Sequence, residues 1–137
     1  MRRRWRVAVA AAVAGLLLAG CDTQSGKLDH GRVFGFDTPQ LKVAVGQTFS
    51  LYRKLAVVPG QRDWTVVDPQ PDPGVLKVVG PDYLKGGGGM GDGGSVYLVF
   101  KAVGKGGTDF TVQNCGSCDA MLRPTYQVRE TYHLVVG

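Results

Sequence analysis

The chain has no isoleucine, one asparagine (Asn114) and only two histidines, His30 and His133, and each scarcity excludes something. Neither histidine has a second ligand at metal-binding spacing, so no metal site is expected. No serine, cysteine or carboxylate has a histidine partner that the local sequence pattern suggests as a base, so no catalytic residues, no enzymatic turnover and no cofactor are expected. Long apolar runs are also missing: Val7 to Leu18 is a stretch of 12 residues, and a bilayer span takes about 20. A helical apolar stripe is absent as well, which leaves strands as the ordered elements. Beyond residue 20 the chain carries 12 basic and 11 acidic residues. Without a basic face interleaved with aromatics, no nucleic-acid partner is expected. The lack of isoleucine and asparagine beside abundant Gly, Val and Ala points to GC-rich coding.

What is present begins with Arg2, Arg3, Arg4 and Arg6, the apolar run, and then Leu18-Ala19-Gly20-Cys21. A charged start, a short apolar core and small residues before a cleavage point have the layout of a secretory signal. A cysteine directly after Leu-Ala-Gly resembles the lipobox of bacterial lipoproteins. That resemblance implies that Cys21 is acylated, palmitate included, and becomes the mature N-terminus on the outer side of the cell membrane. The alternative is a plain signal peptide cut near Ala19. Export by the general secretory route is expected, because the Ser/Thr before a twin-arginine pair and the second apolar residue after it are missing. The expected organisation is a signal peptide over 1–20, a lipidated N-terminus and polar tether over 21–31, and one domain over 32–137.

With Cys21 assigned to the lipid, Cys115 and Cys118 remain as an even pair, and in an oxidising compartment they are expected to form a disulfide. A redox role for Cys115-Gly116-Ser117-Cys118 would need a helix N-terminus to lower a thiolate pKa. No helical pattern follows it.

Strands are expected at Val33–Phe36, Leu41–Val45, Thr48–Arg53, Trp64–Val67, Val75–Val79, Val96–Val103, Asp109–Gln113 and Tyr126–Val136. Alternation places Leu41, Val43 and Val45 on one face, and does the same for Phe49 with Leu51, for Val96, Leu98 and Phe100, and for Phe110 with Val112. So many short, one-sided strands predict two sheets packed face to face, an all-β sandwich of about seven to eight strands. Short turns are expected at Val45–Thr48 and Gly104–Gly107, and longer connections at 54–63, 80–94 and 114–125. In a sandwich such loops carry recognition. Trp64 is expected to anchor the core. The run Gly86 to Gly94 contains Gly-x-Gly-x-x-Gly, yet no helix follows to hold a pyrophosphate, so nucleotide binding is excluded. The run instead suits a slim loop able to enter a narrow cleft, with Met90 as a soft apolar tip.

The succession Leu41-Lys42-Val43-Ala44-Val45-Gly46-Gln47, a loop ending in Trp64, the glycine-rich run, and Phe100-Lys101-Ala102-Val103-Gly104 leading to Phe110-Thr111-Val112 resembles the chagasin-type family of cysteine-peptidase inhibitors. The likeness covers most of 40–136. It implies an immunoglobulin-like antiparallel sandwich whose three loops at one end wedge into the cleft of papain-like cysteine peptidases. Of the family's first-loop motif, Asn-Pro-x-Thr-Gly-x-x-Trp, only Trp64 is in register. The family's third-loop Arg-Pro-Trp falls where this chain has its cysteine pair, and Arg123-Pro124 comes later. By this resemblance the inhibitory residues are Pro59, Gly60, Gln61 and Trp64 in the first loop and Gly88, Gly89, Met90 and Gly91 in the second. In the third they are Arg123 and Pro124, beside Cys115 and Cys118. The expectation is therefore a monomeric, membrane-anchored inhibitor. The alternatives are an envelope lipoprotein that uses the same sandwich to bind another envelope protein or wall polymer, and a disulfide-exchange protein.

Overall fold

A computed structural model describes residues 27–55, 64–115 and 127–137. Eight strands follow in chain order: β1 (Arg32–Gly35), β2 (Gln40–Val43), β3 (Thr48–Lys54), β4 (Trp64–Val67), β5 (Leu76–Leu84), β6 (Ser95–Ala102), β7 (Gly106–Cys115) and β8 (Gln127–Val136). They form two four-stranded sheets, ordered β1-β3-β6-β5 and β2-β8-β7-β4. Pairing is antiparallel except at two sheet edges, where β1 runs parallel to β3 and β2 parallel to β8. This is the all-β sandwich the alternation predicts, with the immunoglobulin-like architecture that the family resemblance implies.

Period-2 burial builds the core. Leu41 and Val43 point inward while Gln40 and Lys42 stay exposed, and Phe49, Leu51, Val96, Leu98, Phe100, Phe110 and Val112 are all buried from their respective strands. A column of rings crosses both sheets. Phe34 meets Phe49 at 6.0 Å between centroids, Phe49 meets Phe100 at 5.4 Å, Phe100 meets Phe110 at 4.9 Å and Phe110 meets Tyr132 at 5.3 Å. Such pairs add to the stabilisation from burial alone. The Tyr132 hydroxyl, deep in this column, donates to the Phe36 carbonyl at 2.7 Å. Burial, with the Glu130 carboxylate beside it, pushes its phenol far above the usual range.

Three expectations are corrected. Val45 is 46% exposed because β2 stops at Val43 and residues 44–47 turn, closed by the Gln47 amide on the Ala44 carbonyl at 3.1 Å. Phe36 lies just past β1 in a turn, although its ring is buried against Trp64. The third correction is larger: β5 does not end at Val79 but continues through Gly80 and Pro81 to Leu84. A bulge between Val78 and Gly80 absorbs the irregularity, with Gly80 at a φ of 136°. Because β5 is a sheet edge, one side of its backbone has no ladder to complete, and a proline is tolerated there.

The polar segment before Arg32 is docked. His30 is buried, its Nε2 is 2.7 Å from Asp82 on β5, and its ring stacks on Tyr97 at 3.7 Å. The Lys27 and Leu28 amides donate to the two Asp82 carboxylate oxygens at 3.3 and 3.2 Å. Tyr97 and Asp82 lie opposite the core-facing residues of their strands, so residues 27–31 form a strap over the outer face of the first sheet.

Candidate functional site

Strand register decides where the long connections meet. Lys54 pairs with Ser95, and Ser95 pairs with Leu84, so β3, β5 and β6 share one end. In the other sheet Trp64 pairs with Asn114, and Cys115 with Gln127. Two contacts show that these ends coincide. The Trp64 amide donates across the sheets to the Tyr83 hydroxyl at 3.2 Å, and the Arg53 guanidinium lies 5.6 Å from the Trp64 ring. The β3–β4, β5–β6 and β7–β8 connections therefore leave one end of the sandwich. Trp64 itself is buried edge-on against Phe36, with centroids 4.7 Å apart, at the end of the sandwich from which the connections leave.

The glycine-rich connection is the part of this end that is described in full. Asp92 organises it: Oδ2 accepts from the Gly87 amide at 2.8 Å and Oδ1 from the Gly94 amide at 3.0 Å. The Asp92 amide in turn donates to the Gly89 carbonyl at 3.1 Å, closing a four-residue turn whose third residue, Gly91, has a φ of 79°. Met90 stands at the tip, fully exposed. The loop base is tied to the first connection, because the Leu55 amide donates to the Gly94 carbonyl at 2.8 Å and the Gly93 amide to the Leu55 carbonyl at 3.1 Å. Glycine is required at two of these positions. At Gly94, with a φ of 84°, a Cβ would run into the Leu84 carbonyl, and at Gly86 it would come within 2.6 Å of the Asp92 carboxylate. The hydrogen bonds from Gly94 and Gly87, aided by Lys54 against a small opposing effect of burial, hold the Asp92 carboxyl below its ordinary value of 3.8.

No family model and no curated protein matches the sequence. Solved structures do match. The solution structure of amebosin superposes with a TM-score of 0.58 at 15% identity, over 80% of this chain and 100% of that one. The crystal structure of EhICP2, a cysteine protease inhibitor from Entamoeba histolytica, gives a TM-score of 0.54 at 10% identity, over 77% of this chain and 94% of that one. The fold is chagasin-like.

On this chagasin-like frame Gly88, Gly89, Met90 and Gly91 form the exposed tip, and Trp64 is buried at the same end of the sandwich. Pro59, Gly60, Gln61, Arg123, Pro124, Cys118 and Cys21 lie outside the described residues, as does the side chain of Cys115. Sequence reasoning missed Asp92 as organiser and Leu55 as partner. The signal for Asp92 was available, since it is the one side-chain acceptor between Gly86 and Gly94. A cleft of about 290 Å³ opens between the β4 and β5 edges and reaches Trp64, lined also by Val66, Val78 and Leu98 and, among the described residues, by no ionisable side chain. Among the described residues of the loop end, the glycine-rich connection offers shape, backbone hydrogen-bonding groups and the Met90 thioether, the makings of a wedge.

Proposed function

We propose that this chain is a membrane-tethered, extracytoplasmic inhibitor of papain-like cysteine peptidases, which occludes the active-site cleft with the three loops at one end of the sandwich. The observation that carries the reading is the pre-ordered glycine loop at the shared loop end of a fold also found in a cysteine protease inhibitor. A rigid scaffold that holds its loops beforehand loses little freedom on binding. A side-chain-poor tip suits a narrow cleft, and inhibition by occlusion needs no catalytic group. Lipid on Cys21 would supply the anchor, and two or three acyl chains make such attachment effectively permanent. Lys27 is six residue steps from Cys21, which is at most about 21 Å of extended chain, so the domain is held close to the bilayer.

Competition tests the mode of action. A reversible peptide aldehyde directed at the catalytic cysteine of papain should displace the protein competitively. Simultaneous binding of both would refute cleft occlusion. For the anchor, Cys21→Ser is expected to move the chain from the membrane to the soluble extracytoplasmic fraction, and unchanged fractionation would remove the lipid from the account.

The first- and third-loop motifs depart from the inhibitor pattern, and this favours a second reading, an envelope module that uses the same loop end on another protein or a wall polymer. Binding to an envelope partner without inhibition of any papain-like peptidase would select it.

A further inference from the structure

We propose that Asp92 is the latch of the glycine-rich loop, holding it in its projecting form so that Met90 is presented to an apolar subsite of the partner's cleft. The inference rests on the inhibitory reading above and adds a positioning residue and a contact chemistry to it. Seven of the nine residues from Gly86 to Gly94 are glycine, and glycine loses more conformational freedom on ordering than any other residue. Left to itself, such a loop would have to be ordered by its partner at the expense of affinity. The carboxylate removes that burden, because its two oxygens take one amide from each side of the loop, Gly87 at 2.8 Å and Gly94 at 3.0 Å. Gly94 is in turn bonded to Leu55, so the latch also fixes the loop against the stem of the first connection. The bare α-carbon of Gly86 is what lets the carboxylate come this close.

Between Gly86 and Asp92 the only side chain is that of Met90, and it is fully exposed. A thioether with three rotatable bonds fills irregular apolar hollows. Glycine on both sides leaves nothing else at the tip to fix which subsite it enters.

The test uses the full chain in detergent, as wild type and as Asp92→Ala, Asp92→Asn, Met90→Ala and Met90→Leu, with two readouts. Amide hydrogen exchange at Gly87 and Gly94 reports the latch without any partner, and the dissociation rate from papain reports its use. Asp92→Ala should speed exchange at both amides and raise dissociation by roughly tenfold or more. Asp92→Asn should fall between, because a carboxamide keeps one acceptor oxygen. Met90→Ala should weaken binding while leaving exchange unchanged, and Met90→Leu should recover most of it. Unchanged melting temperature and strand-amide protection identify variants that remain folded. Unaltered exchange in Asp92→Ala overturns the latch. Faster exchange with unaltered dissociation overturns its role in binding, and full affinity in Met90→Ala overturns the apolar subsite. A wild-type chain that fails to inhibit papain removes the inhibitory reading and the subsite with it, and the exchange comparison still decides the latch.

Discussion

At the scale of single residues, the ring column and the buried hydroxyl at its end set the stability of the sandwich. Phe100 is fully buried and touches Phe49 on one side and Phe110 on the other. Truncating it would remove contacts to both sheets at once. Phe100→Ala is expected to cost about 3–5 kcal/mol in denaturant unfolding. Tyr132→Phe keeps the ring and deletes only the hydroxyl, which lies 2.7 Å from the Phe36 carbonyl and 3.0 Å from Glu130 Oε2, so its cost should be smaller, about 1–2 kcal/mol. A Tyr132→Phe loss as large as that of Phe100→Ala would mean that the hydroxyl, not the ring, organises this end. Trp64 belongs to the same scale: it is buried against Phe36 at the end of the sandwich from which the connections leave. Trp64→Ala should therefore lower stability as well as binding, whereas Met90→Ala should touch binding alone.

Among the elements, the strap over residues 27–31 has a definite pH dependence. Burial raises the Asp82 pKa, but the His30 hydrogen bond and the Leu28 and Lys27 amides outweigh it and leave the carboxyl below its ordinary value of 3.8. A carboxyl depressed in the folded state stabilises that state above the ordinary value and ceases to do so as pH falls through the folded value. Melting temperature followed across roughly pH 2 to 7 should thus drop at the acid end. Asp82→Asn should be less stable at neutral pH and show a shallower acid limb, and identical limbs would dissociate the strap from Asp82. The glycine loop behaves differently, because it lies outside the core. Deleting Gly87–Gly93 should weaken target binding with little change in melting temperature, and full binding by the deletion would remove that loop from the site.

The elements also show what was legible in the sequence. Alternation marks β2, β3, β6 and β7, because a half-buried sheet forces period-2 burial, and the Gly, Pro and Asp residues between apolar stretches mark the other four. The same alternation misplaces Val45, since nothing local tells the last residue of a strand from the first of a turn. Gly80-Pro81 reads as a break, because proline cannot donate to a ladder. That β5 is an edge, where no donor is needed, is a property of the whole sheet. The strap leaves no local trace, because His30 finds Asp82 52 positions away along the chain. At the loop end, the tip residues Gly88 to Gly91 are legible from composition. Asp92 is legible there as the one carboxylate, but its Gly87 and Gly94 partners are not, because they depend on where the two ends of the loop come together.

For the whole molecule, the two sheets act as one rigid mount. Register brings the three long connections to one end, Trp64 and Tyr83 join the sheets beneath them, and the Leu55–Gly94 bonds couple the first connection to the second. The proposed inhibition draws on that mount, because a glycine-rich loop held before contact needs little reordering on contact. The most direct test is a titration of papain with residues 22–137, following fluorogenic turnover with reductant low enough to preserve any Cys115–Cys118 disulfide. Stoichiometric loss of activity at roughly nanomolar concentration is the predicted result. Full activity at micromolar concentration across several papain-like peptidases would contradict the account.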